Sequence, residues 1–142
     1  SHALLVAPCC QAELAARWAA AEQLGDEGGG ALPDGHAFAL IHRTPNLRRE
    51  VAAHVTDALR VSLLKAAGYG VTCREFVGSE HTPKNRLLTA RRVRSRDAAA
   101  HRDAALAEYD ALREATGGHP IALEGMLLSQ NSLPAHADGS WG

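Results

Sequence analysis

Apolar and polar residues alternate along the chain with two different spacings, and each spacing predicts a different element. The short apolar run ALLVAP, residues 3–8, predicts a first strand covered on both faces, as in a parallel sheet. Residues 71–77 and 86–93 are rich in residues that favour strands, and we expect them to form a second and a third strand joined as a hairpin. The chain should therefore contain a small sheet.

Apolar residues spaced by three or four positions predict helices between and after these strands. Gln11 opens the first helix, and Thr44 with Pro45 provides the cap and first turn of a longer one that Gly68 ends. Four helices are expected in all, at residues 11–24, 44–67, 95–115 and 120–127. Residues 36–43 are expected to be extended, and the glycine-rich residues 25–35 to be a surface loop without chemistry.

The order strand, helix, helix, strand, strand predicts an α/β protein, the C-terminal half of a doubly wound, Rossmann-like sheet ending in an antiparallel hairpin, plus C-terminal helices. We expect residues 1–128 to form one domain and the polar residues 129–142 a loose tail. Because the first strand begins almost at once, the chain is expected to be part of a longer protein. Half a sheet would leave an edge and an apolar face uncovered, so self-association is expected.

Composition narrows the class of protein. Hydrophobic residues make up 46% of the 142 residues and charged residues 22%, as in an ordinary globular domain. No apolar run approaches the roughly 18 residues that span a bilayer, so no membrane partner is expected. The three cysteines, two of them adjacent, form no disulfide framework, which predicts a reducing cytoplasm.

Positive charge is concentrated in one stretch although the formal net charge is only -1. Residues 84–96, KNRLLTARRVRSR, contain six basic side chains and no acid. This density is typical of a phosphate-binding surface, yet the stretch lacks the interleaved aromatic residues of single-strand binders. A solvated basic edge that prevents sheet aggregation is an equally good interpretation.

Two cysteines and a glutamine, Cys9, Cys10 and Gln11, follow the first predicted strand. The carboxyl ends of parallel strands face the ligand crevice in open α/β sheets, so this motif should border a site. Adjacent cysteines lack the spacing of zinc ligands, and we expect no metal there. A small cysteine packed in the interior is the competing interpretation.

The loop SEHTPKN, residues 79–85, follows the second predicted strand and carries more functional groups than a turn needs. His81 has an unperturbed pKa near neutrality, with Glu80 beside it, and Lys84 and Asn85 could orient or neutralise an anionic substrate. If the second strand runs parallel to the first, both motifs lie at one edge of the sheet. The alternative is a polar loop in which Thr82 and Asn85 satisfy their own backbone.

Four stretches, VAPCCQAEL, VTDALRVSLLKAAGY, REFVGSEHTPKNRLLTARR and GGHPIALEGML, make the chain resemble the C-terminal half of S-adenosylmethionine-dependent methyltransferases of the seven-stranded class. In that group a Pro-Cys-Cys follows the fifth strand, and a Glu-His-Thr-Pro-Lys-Asn lies between the sixth strand and a last, antiparallel strand. A more distant similarity is to a tRNA ribose methyltransferase with a Cys-Cys-His-His motif, whose histidines are replaced here by Gln11 and Ala12.

The resemblance implies a cytoplasmic enzyme in which this chain forms the substrate side of a methyl-transfer cleft. His81 and Glu80 would be catalytic, with His81 a general base or orienting group. The substrate would be held by Cys9, Cys10, Gln11, Thr82, Lys84 and Asn85. The methyl acceptor, RNA among the candidates, is left open.

The cofactor half of that class is missing from this sequence. The class holds S-adenosylmethionine with a Gly-x-Gly-x-Gly turn after its first strand and an acid that ends its second, and neither occurs here. We therefore expect the cofactor to be bound mainly outside this chain, and the chain alone to be inactive. The alternative is a non-catalytic basic α/β module that binds RNA or a partner subunit through residues 84–96.

Overall fold

The computed structural model describes residues 3–6, 12–24, 31–75, 80 and 86–134. Over these ranges the chain is a mixed α/β protein. Its elements are β1 (Ala3–Val6), α1 (Glu13–Leu24), α2 (Ala39–Arg43), α3 (Pro45–Ala66), β2 (Tyr69–Glu75), β3 (Arg86–Arg92), α4 (Ala98–Ala115) and α5 (Ala122–Ser129). Within these ranges no helix combines the length and the hydropathy needed to cross a membrane.

Helix α3 is the centre of the core, since α1, α2, α4, α5 and β2 all pack against it. The predicted apolar positions Leu59 and Leu63 are fully buried along α3, and Trp18 of α1 and Tyr109 of α4 are buried with them. The helical spacing of the sequence therefore identified the apolar part of the inward face, which also includes the buried polar residues Thr56 and Asp57. Gly68 ends the helix as predicted, in a left-handed conformation with φ of 98° that favours glycine.

The buried polar groups of α4 and α5 are paired with each other. The hydroxyl of Tyr109 donates a hydrogen bond to Oε2 of Glu124, and Nη1 of Arg113 lies 3.4 Å from the same carboxylate. Burial, together with the Glu124 carboxylate, raises the pKa of Tyr109 far above its usual value. This network satisfies polar groups that would otherwise be costly inside the core.

The sheet has three strands in the order β1-β3-β2, and β3 is antiparallel to both of its neighbours. Strands β1 and β2 therefore run in the same direction, which is the condition under which both motifs lie at one edge of the sheet. The predicted hairpin of β2 and β3 is confirmed. As expected, the hairpin forms one edge of the described sheet, with β2 outermost and β3 between β2 and β1.

Two expectations about local structure are wrong. Residues 36–43 were predicted to be extended, but residues 39–43 form helix α2, because Ala39 and His42, three positions apart, both pack inward. Strand β1 was predicted to be covered on both faces, but Leu4 is 38% and Leu5 67% exposed. An apolar run alone does not reveal what covers it, and β1 has one described neighbouring strand.

The two faces of the sheet differ in what covers them. Leu88 and Ala90 of β3 are buried on the face toward the helices. Side chains of the opposite face, among them Leu5, Thr72 and Leu87, are exposed or half-buried. The described part of the chain thus lacks the two covered faces of a doubly wound sheet.

The segment after Leu128, predicted to be a loose tail, makes contacts over its described residues 129–134. Arg102 donates one hydrogen bond to the carbonyl of Ala66, at 2.8 Å, and another to the carbonyl of Ser132, at 3.1 Å. Leu133 packs against the core. Arg102 therefore joins the C-terminal end of α3 to the segment that follows α5.

Candidate functional site

The carboxyl ends of β1 and β2 lie at one edge of the sheet, on either side of the start of β3. Val6, the last residue of β1, pairs with Leu88, and Glu75, the last residue of β2, pairs with Arg86. The two sequence motifs are attached at these points, since residues 7–11 follow Val6 and residues 76–85 connect Glu75 to Arg86. We refer to this edge as the rim.

Most of the residues predicted for the site lie outside the described residues. They are Cys9, Cys10, Gln11, His81, Thr82, Lys84 and Asn85. Glu80 is described, as an exposed turn residue. Their roles stay predictions. The structure adds the positions of Val6, Glu75 and Arg86, the residues to which the two motifs are attached.

A charged cluster that sequence reasoning did not assign lies beside the rim, centred on the buried Asp57 of α3. Nη1 of Arg86 donates a hydrogen bond of 2.7 Å to Oδ2 of Asp57, and Nη1 of Arg60 donates one of 3.1 Å to Oδ1. Arg86 directly follows the predicted loop in sequence. The pair between Asp57 and Arg86 therefore attaches one end of that loop to α3.

His54, one helical turn before Asp57, contacts the same arginine. Nη2 of Arg86 and Nδ1 of His54 are hydrogen-bonded. A guanidinium can only donate, so Nδ1 is the acceptor and this contact places the imidazole proton on Nε2. The imidazole is exposed, and its hydrogen bond to Arg86 sets its orientation.

A cavity of about 400 Å³ opens beside this cluster and is lined by both polar and apolar side chains. His54, Asp57, Arg86, Ser62 and Cys73 contribute to its walls. Burial, and secondarily the Asp57 carboxylate, raises the pKa of the Cys73 thiol above its ordinary value of 9.0. Cys73 is consequently a neutral thiol at physiological pH and a poor nucleophile. The cluster offers charged and hydrogen-bonding groups that can hold and orient a polar molecule, but it does not supply a thiolate.

Asp57 and Arg86 were missed for different reasons. Arg86 was counted as one of six basic residues in a stretch, and Asp57 lies inside an apolar helix pattern. A signal was present, because His54, Asp57 and Arg60 are spaced by three positions and form one polar row along a helix. Arg86, the partner that follows Asp57 by 29 positions, could be identified only from the folded structure.

The sequence contains no glycine-rich turn of the kind that holds S-adenosylmethionine in the class that the resemblance implies. The glycine-rich residues 25–30 follow helix α1, whereas such a turn would have to follow a strand. In the described ranges, no group of three His, Cys, Asp or Glu side chains is placed to hold a metal ion.

Comparison of the chain with models of protein families, with curated proteins and with solved structures found no match. The features of this chain that bear on its function are therefore its two motifs, the topology of its sheet and the charged cluster around Asp57.

Proposed function

We propose that this chain forms the substrate side of the cleft of an S-adenosylmethionine-dependent methyltransferase. The observation that carries the proposal is the shared rim: two parallel strands end at one edge, and each is followed by one of the two motifs that resemble the methyltransferase group. An antiparallel strand between them agrees with the last strand that the resemblance implies. Half of a doubly wound sheet, completed by residues outside this chain, is part of the same proposal.

The residues of this chain would bind and orient the methyl acceptor. His81 would accept the acceptor's proton or orient the acceptor, Glu80 would support it, and Lys84 and Asn85 would hold the acceptor molecule. Cys9, Cys10, Gln11 and Thr82 would border the same cleft. When bound, S-adenosylmethionine supplies an electrophilic methyl group, so the protein's main contribution is alignment, sometimes with a base.

The Asp57 cluster gives this proposal a structural basis. Asp57 attaches the residue that follows Asn85, and so limits where the end of the loop can lie. His54 faces the same cavity and is a second group that could exchange a proton at the rim. Neither residue is assigned to the chemistry, because their contacts fit a positioning role.

The isolated 142-residue chain should not bind S-adenosylmethionine with appreciable affinity, because the turn and the acid that hold it are absent. Isothermal titration calorimetry with S-adenosylmethionine tests this directly, with S-adenosylhomocysteine as a second ligand. Low-micromolar affinity of the isolated chain would contradict the assignment of the cofactor site to residues outside it.

His81→Ala and Asn85→Ala should each lower methyl transfer in a protein that contains this chain together with a cofactor-binding half. The expected loss is about 100-fold for His81→Ala if it is the base. Affinity for S-adenosylmethionine and the melting temperature should stay nearly unchanged, since loop substitutions seldom cost more than about 0.5 kcal/mol. Transfer of a radioactive methyl group to acceptors in cell extract is the measurement.

Gln130→Ala is the matched control, because Gln130 is an exposed amide at the end of α5. It should leave methyl transfer unchanged. If His81→Ala and Asn85→Ala melt many degrees lower and retain full specific activity when folded, the loop is structural and the proposed role is wrong.

A further inference from the structure

Four arginines are exposed at the end of β3 and in the segment after it: Arg91, Arg92, Arg94 and Arg96. This is the end of β3 that lies away from the rim, since Arg86 at its other end pairs with Glu75. In the part of the chain that the structure describes, no carboxylate forms an ion pair with Arg91, Arg94 or Arg96. Their charge is therefore available to a partner.

A cavity of about 350 Å³ lies between the start of β2 and helix α4. Val93, between Arg92 and Arg94, lines this cavity, and so does Ala98, two positions after Arg96. The volume is within the range of pockets that hold small organic groups. Val93 thus connects the basic segment to the wall of a cavity of useful size.

The cavity walls combine apolar surface with a few polar groups. Tyr69, Val93 and Ala105 provide apolar surface, and Lys65 and Glu108 lie at polar positions of the lining. The guanidinium of Arg92 lies 5.4 Å from the centre of the Tyr69 ring, as in a cation–π contact. An aromatic ring that entered here would meet Tyr69, while its hydrogen-bonding edge could reach Lys65 or Glu108.

The cavity offers hydrogen-bonding groups of both kinds. Glu108 accepts hydrogen bonds from amino and imino groups, which nucleobases carry, and Lys65 and Arg102 of the same lining donate to ring nitrogens and carbonyl oxygens. The arginines outside favour phosphates. The exposed arginines of residues 91–96 are numerous enough to contact more than one phosphate of a chain.

We propose that this surface binds single-stranded nucleic acid, with the phosphates on Arg91, Arg94 and Arg96 and one unstacked base in the cavity beside Tyr69. A duplex keeps its bases stacked and paired, so it could use the arginines but not the cavity. An anionic membrane surface could likewise use only the arginines. The proposal is independent of the methyl-transfer proposal, since binding here needs neither the rim nor the cofactor.

Fluorescence anisotropy can measure the binding of labelled oligonucleotides of about 12 nucleotides to the chain, and so test the proposed single-strand binding. Single-stranded RNA, single-stranded DNA of the same sequence and an RNA duplex are titrated at about 50 and 200 mM salt. We expect the single strands to bind more tightly than the duplex and binding to weaken with salt. A preference between RNA and DNA identifies the natural strand, and equal binding supports the shared chemistry.

Two variants separate the two parts of the surface. The triple change Arg91→Gln, Arg94→Gln and Arg96→Gln should weaken single-strand binding about tenfold or more and reduce the slope of log affinity against log salt by about 2. Ala104→Phe, at an exposed helix position that lines the cavity, should weaken single-strand binding and leave duplex binding unchanged. Circular dichroism checks that both variants are folded.

The matched control removes the same charge elsewhere, with Arg17→Gln, Arg49→Gln and Arg74→Gln, all exposed. It should bind within about twofold of the unmodified chain. The proposal is overturned if the chain binds no oligonucleotide at low salt, if both triple variants lose affinity equally, or if the duplex binds best. Binding to phosphatidylserine vesicles without oligonucleotide binding would also overturn it.

Discussion

Acidification from about pH 7 to pH 4 is expected to remove about 3 kcal/mol from the free energy of unfolding through a single residue, His42. This side chain is 1% exposed and stacks on the indole of Trp18, with ring centres 4.0 Å apart. Burial lowers its pKa from 6.5 to about 4. Glu22 opposes this effect, whereas His119, His36 and Arg48 add to it.

The unfolding free energy falls as the pH falls because the unfolded state binds the proton of His42 more readily than the folded state does. Below pH 6.5 the unfolded chain protonates His42, while the folded chain resists protonation until about pH 4. Stability is therefore complete above pH 6.5 and is lost as the pH falls through this window. The difference of 2.5 between the two pKa values corresponds to at most about 3.4 kcal/mol.

Urea unfolding of the chain and of His42→Phe across this pH range is the measurement. Phenylalanine keeps a ring beside Trp18 but cannot titrate, so the variant should lack this component of the pH dependence. Other titrating groups affect both proteins and cancel in the difference. A difference in unfolding free energy that stayed constant from pH 7 to pH 4 would show that His42 is not the responsible group.

Replacing Asp57 by asparagine is expected to cost about 2 to 3 kcal/mol in the free energy of unfolding. The side chain of Asp57 is 5% exposed and that of Arg86 18%, so the substitution leaves a largely buried guanidinium without its counter-charge. Arg60 loses the same partner. Urea unfolding at neutral pH measures the loss, and a double-mutant cycle with Arg86→Gln isolates the pair.

The chain offers a matched control in the ion pair between Asp34 and Arg43. Its nitrogen–oxygen distance is also 2.7 Å, but the side chain of Asp34 is 95% exposed. Asp34→Asn should therefore cost less than about 0.5 kcal/mol, because water screens the pair. Equal losses for the two substitutions would contradict the idea that burial makes the Asp57 pair important for the rim.

The helices and strands with a clear period could be predicted from the sequence, while a short apolar segment could not. Helix α3 was expected at residues 44–67 and spans Pro45–Ala66, and β3 was expected at residues 86–93 and spans Arg86–Arg92. Period and capping are local properties, so a window of sequence contains them. Helix α2 has five residues, too few to show a period, and packing decided its conformation.

The candidate site likewise has one part that the sequence revealed and one part that only the structure revealed. The motifs after β1 and β2 were found from residue types and spacing, and the structure placed their points of attachment at one edge. The cluster of Asp57, Arg86 and His54 could not be found in this way, because its members come from α3 and from β3. Whether a charged residue in an apolar pattern is paired depends on a partner distant in sequence.

The sequence by itself determined the long helices, the strands, the apolar part of the inward face of α3 and where the functional motifs occur, because these follow from periodicity and residue type. The tertiary structure alone decided that β3 lies between β1 and β2. It also decided that His42 is buried against Trp18, and that Asp57 holds Arg86 at the rim. These outcomes depend on strand order and on contacts between distant segments, which no local pattern encodes.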